Sequence, residues 1–479
     1  MTAPAWPGRA HGFVEDVRRI APLAWPVVIG QVAVLAFNTI DTVLVGRHSP
    51  ADLAAFAVGA AAYVTVFVGF MGIVLAVSPI VGQLFGAGRL QAAGDELHQA
   101  VWLALALSVL GIVLLLFPQP FLWIAKAGPD IAERVHGYLK ALAVALPASL
   151  LFTAFRGFNT AVSRPKVVML LQIGGLVAKL PLSIALVFGV PAWGIPELGV
   201  TGAGIATAVA LWIQLLLAYV MMRRDAFYDR FRFWGRGLHA PNRQALWGLL
   251  RLGVPMGAAI LIEVTGFSMM ALLISRLGTL PVAGHQIAVN IVSLMFMLPL
   301  GLANASGTLV AQRIGAGDLA DARRLGWHGL VRGGLLAAVL GMAMFATREP
   351  VIALYTRDEP VAAAAFPLLA WVVVFHLADA LQTVAAFVLR AWRIATLPMF
   401  IYAGSLWGIG LVGGYTLGFD LTGATPPALR GAPGFWAAST AGLVVAGVAL
   451  TVFMRLVLKA KAEELQKRAA RQAAGHPAA

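Results

Sequence analysis

The sequence predicts an all-α integral membrane protein: twelve transmembrane helices in two six-helix lobes, related by a pseudo-two-fold axis along the membrane normal. Three observations predict it. Hydrophobic residues make up 60% of the 479 residues and charged residues only 12%, too little polar material to cover a water-soluble domain. Twelve stretches stay apolar over the roughly 20 residues a helix needs to cross the hydrocarbon core. The first half of the chain also repeats in the second half, 229 residues later.

The N-terminal residues 1–19 are polar and carry Arg9, Arg18 and Arg19. The first apolar stretch is too long for a signal-peptide core, and no small-residue cleavage site follows it. The spans are expected at about 20–46, 53–82, 97–117, 136–156, 167–190, 198–222, 246–275, 282–311, 327–346, 362–390, 396–418 and 434–457. These runs do not alternate apolar with polar, which excludes an outer-membrane barrel. The expected division is an N-terminal segment 1–19, an N-lobe 20–222, a linker loop 223–245, a C-lobe 246–457 and a basic tail 458–479.

Charge placement sets the expected orientation. With the N-terminus inside, the inside segments hold 26 Lys and Arg and the outside segments 8. The positive-inside bias then puts both termini in the cytoplasm. The same distribution accounts for the net charge of +14 without a nucleic-acid partner. The tail after Arg455 is expected against anionic lipid headgroups. There is no cysteine, so disulfides, thiolate catalysis and cysteine-ligated metals are excluded.

In the repeat, Pro26 falls on Pro255, Leu44 on Leu273, Arg47 on Arg276, Val81 on Val310, Gln83 on Gln312, Gly86 on Gly315 and Gly88 on Gly317. Later the offset grows to 234, where Arg156 meets Arg390. Each repeat has an even number of spans, so both insert with the same orientation. In transporters built this way, substrate sites lie near the midplane between the halves. Gly86-Ala87-Gly88 and Gly315-Ala316-Gly317 read as helix C-caps. No P-loop lysine follows them.

Of the 21 acidic residues, only Asp41, Glu263 and Asp379 fall well inside spans. A charge at the bilayer centre costs at least ~2.5–3.5 kcal/mol, so such groups mark ion or substrate pathways. Phe375, Asp379 and Gln382 share one face of span ten, and Phe267 lies one turn after Glu263. Gln31, Asn38 and Asp41 form a polar stripe on span one beside Phe37. Carboxylates next to aromatics suit a lipophilic cation. Lys179, the only lysine inside a span, is placed to pair with Asp41. His376 either packs in the core or shares the proton of Asp379. Pro26, Pro181, Pro255 and Pro299 are candidate kinks.

Several segments resemble the multidrug and toxic compound extrusion (MATE) family. They are Ala283-Gly284-His285-Gln286-Ile287-Ala288, Met297 to Ala303, Val310-Ala311-Gln312, Asp41 to Gly46, Pro79 to Gln83 and Arg156-Gly157-Phe158-Asn159. The similarity runs over about residues 15–458. The resemblance implies two six-helix lobes around a V-shaped chamber. It also implies antiport of cationic or amphiphilic compounds against protons or sodium ions. Glu263 and Asp379 match the acidic positions of the NorM-like bacterial branch, and Asp41 matches the acidic position of span one. Phe375 stands where the family often has tyrosine. Lys179 and Ser183 stand where some members have asparagine and aspartate.

The reading is a secondary active multidrug exporter working as a monomer in the lipid bilayer, without a cofactor. The coupling ion is a proton, which desolvation of a carboxyl favours, or a sodium ion at Glu263 and Asp379. A lipid-linked-substrate flippase of the wider superfamily is the alternative, but it calls for cavity cations to hold phosphate. An intramembrane enzyme is disfavoured, since neither HExxH nor G-x-S-x-G occurs. No ATP motif appears, which leaves an ion gradient as the energy source.

Overall fold

The computed structural model describes residues 13–125, 128–234 and 238–473. Arg9, Lys126, Arg236 and the end of the tail, 474–479, lie outside the described residues. Among the described residues twelve helices are long and apolar enough to cross a membrane. They are Glu15–His48, Pro50–Gly86, Leu90–Leu116, Pro129–Ala161, Pro165–Phe188, Gly199–Arg224, Arg243–Ser275, Thr279–Gly315, Leu319–Ala346, Glu359–Ala391, Thr396–Gly418 and Ala432–Lys461, numbered here as spans one to twelve. Most helices outrun the apolar stretches by a few residues, because polar ends extend a helix where caps satisfy its terminal amides. Ser49 accepts from the amide of Asp52 at the start of span two, and Asp318 accepts from Asp321 at the start of span nine. Apolar side chains such as Val109, Leu170, Leu216 and Val339 point outward, as a bilayer requires of a surface that water would reject.

Two compact units emerge. One contains residues 25–85 and 89–261, the other 13–24, 86–88 and 262–473. Within the first, span four packs against spans two, three and six, and 72% of its apolar window is buried. Within the second, span ten packs against spans eight, nine and twelve in the same pattern. The units do not divide at the 223–245 segment. Span one changes unit after residue 24 and span seven after residue 261.

The duplication extends to details that the hydropathy does not carry. A short helix follows span three at Gln119–Ala125, and its counterpart Arg348–Tyr355 follows span nine. Gly88 (φ +72°) and Gly317 (φ +79°) both take the left-handed conformation after spans two and eight. There the amides of Arg89 and Asp318 bond back to Leu84 and Arg313, closing the expected C-cap turns. Ser163 and Arg393 repeat the left-handed cap after spans four and ten at φ 63° and 59°, where a side chain costs about 1–2 kcal/mol. Pro26, Pro181, Pro255 and Pro299 all lie within continuous helix.

The first part of the linker, residues 226–234, folds back on itself and is packed rather than open. Tyr228, Phe231 and Phe233 are buried, and the Tyr228 hydroxyl donates to Asn159 of span four at 2.6 Å. Arginines cover the aromatic faces: Arg164 stands 4.2 Å from the Phe227 centroid and Arg223 4.2 Å from that of Trp234. Arg164 also pairs with Asp225. The Asp225 carboxyl is held below the usual carboxylate range, first by the Phe227 amide and then by Arg164.

The start of span one is tied into the second unit by charge. Asp16 is fully buried. His328 Nδ1 lies 2.6 Å from its carboxylate, with Arg19 at 3.3 Å, Arg324 at 3.8 Å and Arg332 at 3.9 Å. Arg19 bridges onward to Asp321 at 3.1 Å, and Arg313 meets Asp321 at 2.9 Å.

Candidate functional site

Span ten is the central helix of its unit, and most side chains of Val372–Ala391 are buried. A helix buried nearly all round cannot turn its polar residues to solvent, so each needs a protein partner. Asp379 and Gln382, three residues apart, lie on one face. The Gln382 amide donates to Asp379 Oδ1 at 2.9 Å and to Glu263 Oε1 of span seven at 3.1 Å. One NH2 group thus bridges two carboxylates, whose bonded oxygens stand no more than about 6 Å apart. The Gln382 carbonyl is buried without a hydrogen-bond partner.

Aromatic rings build the adjoining wall. The Phe375 ring meets Phe267 edge-on at 6.0 Å and Trp436 of span twelve at 5.4 Å. Trp436 Nε1 donates to His285 Nδ1 at 3.2 Å, which fixes the acceptor tautomer there. Arg390 and Tyr402 lie within electrostatic reach of Glu263.

Span eleven completes the surroundings with a ten-residue π-helical segment, Ala403–Val412, where such geometry is normally a single turn. It presents Trp407, whose indole donates to the carbonyl of Ile262 at 3.0 Å, one residue before Glu263. Gly442 of span twelve lets the wide segment approach: a Cβ there would fall 2.6 Å from the Ser405 carbonyl oxygen.

The acidic group of the other unit is arranged differently. Asp41 of span one is buried, 2% exposed, and does not snorkel. Its Oδ2 accepts from Lys179 Nζ at 2.7 Å and from Thr207 at 3.3 Å, and Ser183 donates to Oδ1 at 3.4 Å. Lys179 also donates to the Phe37 carbonyl at 3.0 Å and sits 4.4 Å above the Phe37 ring. The expected pairing of Lys179 with Asp41 is therefore present.

One sequence expectation changes, and one open alternative is decided. Asn38 does not join Asp41 in a polar stripe: it is exposed on span one while Asp41 is buried. Gln31, half-buried, accepts instead from Arg156 of span four at 3.5 Å. His376 takes the packed alternative and makes no hydrogen bond to Asp379. It is fully buried, and neither ring nitrogen has a hydrogen-bond partner. Residues not assigned to the site from sequence include Arg390, noted there only for its match to Arg156, His285, noted only within a family-like segment, and Trp436, Tyr402 and Trp407. The Arg156–Arg390 match in the repeat was the available signal for the first. The two tryptophans and the tyrosine lie in apolar runs where an aromatic carries no distinguishing mark. Among the described residues no group of three or more His, Asp or Glu is placed to hold a metal ion.

Comparison with known proteins gives a concordant result. The MatE family matches residues 26–185 and again 255–416, reproducing the 229-residue offset between Pro26 and Pro255. The chain is 38% identical over 440 residues to the probable multidrug resistance protein NorM of Aromatoleum aromaticum, covering 91% of this chain and 93% of that one. It is 34% identical over 463 residues to the multidrug resistance protein PmpM of Pseudomonas aeruginosa, covering 96% and 95%. The crystal structure of the eukaryotic MATE transporter AtDTX14 shares the fold, with a TM-score of 0.83 at 19% identity, over 96% of this chain and all of that one. On the doubled family match and the full-length likeness to NorM proteins, the chain belongs to the MATE family and to its NorM-like branch.

Proposed function

We propose that the protein exports cationic or amphiphilic drugs across the bacterial cytoplasmic membrane in exchange for protons. On this reading it acts as a monomer with both termini in the cytoplasm. The single observation that carries the reading is the pair Glu263 and Asp379, bridged by Gln382 and walled by Phe375, Phe267 and Trp436. Two carboxylates this close, in a membrane-spanning helix pair, favour taking up a cation. Aromatic faces favour a lipophilic one. Relatives named as multidrug resistance proteins support drugs as the cargo.

The proposed cycle is competition. The ionised pair binds the drug cation from the cytoplasmic side. A proton entering from outside neutralises a carboxyl, drug affinity falls, and the drug leaves outward. The protonated, drug-free protein then resets. A ligand can drive such a cycle only by its differential affinity for the two states, and carboxyl charge supplies that difference. Sodium at the same pair is the competing choice of ion. Efflux from proteoliposomes with one gradient imposed decides between them. The proposal expects efflux driven by a pH gradient without sodium. Efflux driven only by an inward sodium gradient at equal pH would overturn the choice of proton, and efflux under neither would overturn the antiport itself.

A further inference from the structure

Lys179 and Asp41 form a fully buried ion pair: the two side chains are 1% and 3% exposed. Such pairs are costly, because two charges leave water and their attraction repays this only with complete hydrogen bonding. Here the bonding is arranged around the ammonium. Two of its protons go to oxygens, the Asp41 carboxylate at 2.7 Å and the Phe37 carbonyl at 3.0 Å. The Phe37 face lies on a further side at 4.4 Å. The hydroxyls of Ser183 and Thr207 complete the shell of the carboxylate, at 3.4 Å and 3.3 Å. With the ammonium subtracted, what is left is one carboxylate, one backbone carbonyl and two hydroxyls. That set is anionic and made of oxygens, which is what a hard monovalent cation requires. The repeat has no counterpart: 229 residues after Asp41 stands Met270, and the second unit holds its carboxylates on spans seven and ten.

We infer that Lys179 is a built-in cation, seated where a free monovalent cation would otherwise bind Asp41. The tethered ammonium excludes a mobile ion because it cannot diffuse away, so its local concentration beats that of any solute. The N-lobe site is closed to external cations, and Asp41 is a positioning residue that holds span one to span five. For transport this rests on the antiport reading above: ion coupling is then confined to Glu263 and Asp379. The seat itself does not depend on transport and is tested by binding alone.

The test uses the full-length purified chain with Glu263→Gln and Asp379→Asn, so that the second unit offers no carboxylate pair. Thermal unfolding is followed against sodium chloride, with choline chloride holding ionic strength constant. With Lys179 present, no sodium-specific shift is expected. Lys179→Gln, or Lys179→Asn should the first not yield folded protein, vacates the seat. The melting temperature should then rise by about 1.5 °C at ten times the sodium Kd and by about 2.7 °C at a hundred times. Adding Asp41→Asn to that variant should abolish the rise. A purely structural salt bridge predicts a lower melting temperature but no sodium dependence. A sodium-specific shift in the Lys179 background that Asp41→Asn removes would overturn the inference. So would folded Lys179→Gln or Lys179→Asn protein that shows no shift. Drug efflux enters neither arm, so loss of the antiport reading leaves this result interpretable.

Discussion

Replacing Asp379 by asparagine removes one charge while keeping the local geometry. The asparagine oxygen still accepts from the Gln382 amide, which now bonds the Asp379 carboxylate at 2.9 Å, so the bridge to Glu263 at 3.1 Å is retained. An organic cation seated between carboxylates this close lies about 4 Å from each charge. At an effective dielectric of 20, that attraction is about 4 kcal/mol. Part of it is offset because the ionised carboxylate itself pays desolvation, so a net loss of about 2–3 kcal/mol is expected, which is roughly 30- to 150-fold in Kd. Direct binding of tetraphenylphosphonium to the detergent-purified chain, at a pH where the parent is fully active, measures this. A neutral amphiphile of similar size is the control and should lose less than threefold. If the cation too loses less than threefold in Asp379→Asn and in Glu263→Gln, the carboxylate pair is not the cation site. Equal losses for cation and control would mean that the variant damages shape rather than charge.

Other outcomes follow from the same structure. Gln382→Leu should impair drug resistance with membrane expression intact, since it removes the amide that joins spans seven and ten at the two carboxylates; unchanged minimum inhibitory concentrations would argue against the bridge. Asp16→Asn removes the carboxylate on which Arg19, Arg324, Arg332 and His328 converge, and should cost about 3–5 kcal/mol of stability, read as a large drop in melting temperature. Gly317→Ala, at φ +79°, should lower stability by about 1 kcal/mol, read by the same melt. The Asp225 carboxyl is depressed, first by the Phe227 amide. Its contribution is therefore present above the unfolded value of about pH 4 and is lost as pH falls through the lower folded value. The stability gap between the parent and Asp225→Asn should shrink as pH drops below that point. Reporter fusions at both termini should be active only inside the cell; an external terminus would sink the proposed orientation.

The twelve spans were legible in the sequence because membrane insertion is decided locally, by some 20 consecutive residues and their hydropathy. The duplication was legible because Pro26 and Pro255, and Gly88 and Gly317, keep one offset through matched elements. Glu263, Asp379 and Asp41 stood out because an ionisable residue in an apolar run is expensive enough to need a reason. Tertiary structure alone decided how those charges are partnered. Gln382 was visible as a neighbour of Asp379 one turn away, but its second bond crosses to a span 119 residues earlier. Asp41 and Lys179 shared a lobe, yet the Thr207 and Ser183 hydroxyls that bond the carboxylate and the Phe37 carbonyl that accepts from the ammonium come from three different spans. Asn38, which shares the sequence neighbourhood of Asp41, is exposed where Asp41 is buried. The π-helical stretch in span eleven, the buried aromatics of residues 228–233 and the passage of spans one and seven between units left no mark in hydropathy. Hydropathy reports what each residue prefers as solvent. Which face of a helix meets which neighbour is set by packing the spans against one another, and that is fixed only when all of them are in place.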